Sequence, residues 1–312
     1  MKKKIMFFLL VALIFSSQIN ASTKITPNDV YSAVDIINRS LDIFLKQNRI
    51  SNFESLDINE IGLRPMHVCQ MAVTAVDAMI EFQESKEMRA SFKIVVTPKE
   101  YIPHDIKLLA DYLLSEIIRT ADELKIDNLP NDKRIFSNKT PTDVFKGFVD
   151  IFLKFKFLTK NEEISPNTGY SEVVRAVLDA KSILTTIDSE QRFRIDAPKS
   201  PKGLKPANVY QECIEARKGL NKVRKNFKME EIPIPMLDDF SKINPADVFI
   251  QVQIIIAELN LLKRAIGTIS STPIPIAVNG KTPSDVHEQL VLLKYLLLQI
   301  EPLQEMMSKI NS

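Results

Sequence analysis

Three histidines and two cysteines are the side chains best suited to hold a transition metal or to act as activated nucleophiles. They are His67, His104, His287, Cys69 and Cys213. Metal ligands on one helix must lie three or four residues apart, because only those positions share a face. No histidine here has another histidine or a cysteine at that spacing, and His67 and Cys69, two apart, point to different faces. His287-Glu288 opens like a zinc-protease motif, but Val291 stands where the second histidine belongs. A G-x-S-x-G nucleophile turn is also missing. Glycoside hydrolysis needs two carboxylates at a set distance across a cleft. The adjacent acid pairs Glu162-Glu163, Glu230-Glu231 and Asp238-Asp239 fall in connections, where acids are ordinarily solvated. The chain has no tryptophan to serve as a sugar platform. The expectation is a protein without catalytic, cofactor-binding or metal-ligating residues, and without a cofactor.

Composition narrows the fold that carries these residues. Apolar residues make up 45% and charged residues 26% of 312, the mix of a globular protein. There are only seven glycines. They are too scattered for a dinucleotide or phosphate-binding turn and too few for a barrel or sandwich with many tight turns. Gly147, Gly169 and Gly219 fall inside helical patterns. The expected class is all-α.

An eightfold repeat organises the chain. Its motif is a proline followed by an acidic or polar residue, an aliphatic and usually an aromatic, as in TPNDVY at 26–31, TPTDVF at 140–145 and NPADVF at 244–249. The prolines are Pro27, Pro65, Pro103, Pro141, Pro166, Pro206, Pro245 and Pro283, spaced by 38, 38, 38, 25, 40, 39 and 38 residues. A period of this size marks a repeated supersecondary unit. The motif is a helix start: Thr26, Thr140, Ser165, Asn244 and Thr282 cap it, and proline takes the first helical position. Asp29, Asp105, Asp143, Asp247 and Asp285 stand where a carboxylate closes a capping box. Those acids have a folding role and are not read as catalytic. Arg64, Ile102 and Lys205 are poor caps, so the helices at 65, 103 and 206 are expected to start less sharply.

Beyond each proline, apolar residues recur at plus 3, 7, 10, 14 and 17, the seam of a helical bundle. Val30, Val34, Ile37, Leu41 and Phe44 are the first set. Small residues replace large ones in other seams, including Ala72, Ala75, Ala176, Ala180 and Ala216. The aromatics at plus 4 (Tyr31, Phe145, Tyr170, Tyr210 and Phe249) are expected to pack beneath the incoming connections. Connections of about 15 residues are long for a bundle. Several are apolar, such as 92–96, 232–236 and 273–278, and are expected to lie across helix ends or along helix faces, with short strand pairing as a further option. Their length leaves helix direction open. The short interval before Pro166 divides the array into residues 22–160 and 161–312, read as two tandem four-helix bundles; one continuous superhelix is the alternative.

Residues 1–21 read as a secretory signal: Lys2, Lys3 and Lys4, then eleven apolar residues from Ile5 to Phe15, then a small and polar stretch ending at Ala21. Eleven residues are too few to span a bilayer, and no later run is long enough uninterrupted. Without that segment, basic residues fall from 41 to 38 against 39 acidic, a formal charge of −1. Neither nucleic acid nor an anionic membrane is an expected partner. The basic runs 199–205 and 217–228 are read as solvated. Cys69 and Cys213 are expected buried and free, with a disulfide as the alternative. The expected function is therefore an exported, non-enzymatic helical-repeat interaction module with a protein partner, periplasmic or secreted. The alternative is a sensory or carrier bundle holding a small apolar or amphipathic ligand beside the alanine seams.

Overall fold

A computed structural model describes residues 24–160, 164–187, 198–235 and 239–310, with side chains to 300. The signal expected at 1–21 and the expected boundary between 160 and 161 touch stretches outside the described residues. Eight α-helices follow in order: α1 Pro27–Gln47, α2 Pro65–Ser85, α3 Pro103–Leu124, α4 Pro141–Leu158, α5 Pro166–Ile187, α6 Pro206–Asn226, α7 Pro245–Ala265 and α8 Pro283–Ile310. A single 3₁₀ turn, Phe240–Lys242, precedes α7, and no strand is present among the described residues. The chain is all-α, as its glycine poverty and 3–4 periodicity require.

Each helix opens at the repeat proline. In α1, α4 and α8 the aspartate at the third position accepts from the main-chain N–H and the hydroxyl of the capping threonine. The starts with poor caps are no less sharp. His67 Nδ1, Asp105 Oδ2 and Asn208 Oδ1 accept from the N–H groups of Arg64, Ile102 and Lys205 at 2.9–3.0 Å. The third-position side chain closes the turn without help from the cap.

Five of the helix stops follow one rule. Arg49, Glu87, Lys125 and Lys228 lie 22 residues past their prolines with φ of 55–58°, and Gly267 takes the same place at 77°. The next N–H then bonds back five residues, as in Ile50 to Leu45 and Met88 to Gln83. This Schellman turn favours glycine, and only one repeat supplies it.

Helix contacts fall into two sets of four, α1–α4 and α5–α8, in the cyclic orders α1–α3–α2–α4 and α5–α7–α6–α8. Within a set all helices run the same way. Pro27, Pro65, Pro103 and Pro141 line one shallow depression at the end of the first set. The second set is stitched alike: Asn167 holds the N–H of Lys281, and Ser284 holds the N–H of Leu204. Asn28 and Thr142 hold the N–H groups of Lys139 and Leu63 at the same offsets. Each connection therefore returns the chain along the set, which explains its length. Ser32 and Ser171 bind the carbonyls of Arg134 and Ile276 in the two returning segments.

The sets lie head to tail. Arg64 at the start of α2 pairs with Glu230 beyond the end of α6, and Arg264 at the end of α7 pairs with Glu100 before α3. Four parallel helices add their dipoles, and the reversed second set opposes that sum. The join is α2 against α7. One face of α7 (Val252, Ile255, Leu259, Leu262) lies in the second core, and the other (Phe249, Ile250, Ile254, Ala257) in the first. A helix buried on both faces is apolar all round. Hence α7 is the one helix among the described residues long and apolar enough to cross a bilayer, with 78% of its apolar window buried in the protein.

Candidate functional site

Two clefts open along the join. The larger, about 340 Å³, is lined by the second half of α2, the segment 93–96, the start of α5, the segment 274–278 and the aromatic pair Phe152 and Phe249. Those two rings stack in parallel at 4.8 Å between centroids. The cleft wall is a buried polar lattice. Glu172 accepts from Arg175 Nη1 at 2.6 Å and from Gln253 Nε2 at 2.8 Å. Gln253 Oε1 in turn accepts from Gln70 and Thr74. Arg175 Nε donates to the carbonyl of Pro273 at 2.6 Å, fixing the 273–278 segment to α5. Glu81 pairs with Lys156 across the opening. Asp77 faces the cleft, half-buried, with no hydrogen bond or ion pair within 4 Å among the described residues. Burial pushes its carboxyl up to about 6 against the pull of Arg175 and Lys93.

The second cleft, about 260 Å³, is lined by residues 56–60, Tyr210 and the start of α7. Beneath it lies a cluster of buried charge. Arg217 Nη1 donates to both oxygens of Glu60, at 3.0 and 3.1 Å, and to Gln251 at 2.8 Å. Arg224 holds the carbonyl of Glu230 through Nε and Nη2. Glu258 lies 3.5 Å from Arg217 Nε, yet neither of its oxygens has a hydrogen-bond partner. Burial therefore raises it to about 7, although Arg217 and Arg224 pull the other way. His67 is held to about 3 by burial and by the fields of Arg217 and Arg224.

The basic run 217–228 is thus not a solvated face at Arg217 and Arg224, both 0% exposed. Arg217 meets acids delivered by the other helix set and by α7, Glu60 and Glu258, while Arg224 is spent on a main-chain carbonyl. Polar residues inside the otherwise apolar pattern of α7 (Gln251, Gln253, Glu258, Asn260 and Lys263) were the available sign of buried pairing. Lys263 pairs with Asp179, which also accepts from Thr272 at 2.7 Å.

The residue types suited to chemistry are dispersed. Cys69 and Cys213 are free and buried. Burial pushes the Cys69 thiol up to about 12 and Cys213 higher still. His104 is exposed, and His287 Nδ1 lies 2.7 Å from Ser200 Oγ. Among the described residues no group of three acid, histidine or cysteine side chains is placed to hold a metal. Glu230 is spent on Arg64 and Asp239 on the main chain of Ser241, while Glu162, Glu163 and Asp238 lie outside the described residues. Of the plus-4 aromatics, Tyr31 meets Phe136 and Tyr210 meets Phe240 in connections, as expected. Phe249 differs and faces the join. The alanines expected to leave room for a ligand are 0% exposed within the cores, and line neither cleft.

No protein-family model, curated protein or solved structure matches the chain.

Proposed function

We propose that the protein is an exported, non-enzymatic binding module, and that the larger cleft between its helix sets is the working surface. The segment at 1–21 directs it out of the cytoplasm, to the periplasm or the medium. The observation that carries this reading is the cleft rim. Val95, Ile274 and Ile276 are 46%, 61% and 55% exposed beside an opening made by both sets. Contiguous exposed apolar side chains edged by charge mark interaction sites. A protein partner is the cleft's first occupant. The cleft volume lies within the range of small-ligand sites, which favours a small-molecule carrier as the second reading.

Fractionation of cells should find the protein outside the cytoplasm with residues 1–21 removed. A photo-crosslinking residue at Val95 or Ile274 should trap the same partner, and one at Ile135 should not. Ile135 is 93% exposed but lies away from the cleft. Equal trapping at all three positions, or cytoplasmic retention, would contradict the reading.

A further inference from the structure

Buried or half-buried carboxylates are ordinarily paired or hydrogen-bonded, because desolvating an unpartnered one is costly. In the larger cleft that rule holds for buried Glu172 with Arg175, and exposed Glu81 is paired with Lys156 as well. It fails for Asp77. Lys93 is close enough to act on Asp77 through its field but makes no ion pair with it. Glu84, two turns further along α2, is exposed and pairs with nothing within 4 Å among the described residues. With the two pairs neutral, Asp77, Glu84 and Lys93 leave the cleft with a surplus of one negative charge. The lining is mixed: beside the polar lattice the cleft carries apolar wall from Val73, Ile80 and Val96 and the stacked rings of Phe152 and Phe249. The rings already tolerate an ammonium, since Lys156 Nζ lies 5.7 Å from the Phe152 centroid.

We infer that the cleft binds a single organic ammonium group, its charge paired with Asp77 and its alkyl or aryl stem against the apolar walls. The inference rests on reading the cleft as the working surface. A lysine side chain of a partner and a free amphipathic amine present the same chemistry, and the test separates them. Only the ionised carboxylate forms the pair, so binding weakens as Asp77 is protonated. The charged groups facing it are Glu81 and Glu84 on α2, Lys93 on the connection, Lys156 on α4, and Glu172 and Arg175 on α5.

The probes are n-hexylammonium chloride, n-hexanol and the blocked peptide acetyl-Gly-Val-Lys-Val-Gly-amide, titrated into residues 22–312. Calorimetry at pH 7 should show hexylammonium binding at least tenfold more tightly than hexanol. Moving from pH 7 to pH 5 should weaken it about tenfold, following the ionised fraction of a group near 6. Asp77→Asn should abolish both the preference and the pH dependence, with its circular dichroism and urea midpoint confirming the fold. Asp77→Glu should retain the preference, and Glu54→Gln, at an exposed acid outside the cleft, should stay within about twofold of the parent. A peptide at least tenfold tighter than hexylammonium, and equally dependent on Asp77, identifies a protein lysine as the source. A weaker peptide identifies a free amine. Equal binding of hexylammonium and hexanol, or a folded Asp77→Asn protein that binds like the parent, overturns the inference. A partner still trapped at Val95 in that case would leave the binding-module reading standing.

Discussion

Gly147 and Gly219 both sit inside helices, and replacement by alanine should act with opposite sign at the two. Alanine is favoured over glycine in a helix interior by about 1 kcal/mol. At Gly219 the new methyl would meet Leu297 at 3.7 Å, an ordinary contact. The Gly219→Ala protein should therefore gain about 0.5–1 kcal/mol. At Gly147 the methyl would stand 2.4 Å from Val34 Cγ1. Val34 is 1% exposed and, being β-branched within a helix, is held to one rotamer, so α1 and α4 must separate. Overpacking of this kind costs about 1–3 kcal/mol. The same separation strains the bond from Asn38 Nδ2 to the Gly147 carbonyl, 3.0 Å long and worth about 1 kcal/mol. Less the helix gain, Gly147→Ala should lose about 1–3 kcal/mol. Equilibrium urea unfolding of residues 22–312 measures both variants against the parent. Shifts of the same sign and size at the two positions would refute the close parallel approach of α1 and α4.

Replacing Asp143 with alanine should cost about 0.5–2 kcal/mol by opening the cap at Thr140, with the loss read from the urea midpoint. Burial raises the Asp143 carboxyl, but its Thr140 hydrogen bonds outweigh that and lower it. The carboxyl contribution is thus present above its ordinary 3.8 and fades as pH drops further. Glu258 has the reverse sign: folded, it keeps its proton to about 7, and unfolded only to about 4.5. Stability from this group should fall as pH rises through that window, by at most about 3 kcal/mol. Glu258→Gln should remove that part of the pH profile; matching profiles for parent and variant would exclude a raised carboxyl. Residues 161–312 expressed alone should unfold cooperatively but self-associate in size-exclusion chromatography, because Phe249, Ile250 and Ile254 lose the first core. A strictly monomeric 161–312 would show that α7 does not rely on that contact.

Much of the helical plan was legible from local chemistry. Proline, cap and third-position acid act within four residues of one another, so each start could be read without knowing its neighbours. The seam positions Val30, Val34, Ile37, Leu41 and Phe44 are buried because 3–4 spacing places them on one face of α1 whatever that face meets. The stops were less visible, because the left-handed residue is Arg49, Glu87, Lys125 or Lys228 rather than glycine. Those turns are set by the hydrogen bonds closing the helix and by the chain's return.

Tertiary structure decided the rest. Spacing that permits a connection to run back along a helix does not require it to, so parallel direction rests on contacts such as Asn167 with Lys281. Arg217 and Arg224 look solvated in a basic run, and only Glu60, 157 residues from Arg217, shows why a guanidinium lies inside. Asp77 carries no local mark at all: its missing partner is a property of the cleft walls that α2, α4 and α5 build around it. A helix start or seam is fixed by residues a few places apart, whereas charge pairing, direction and the lining of a cleft depend on groups that meet only when the two sets pack head to tail.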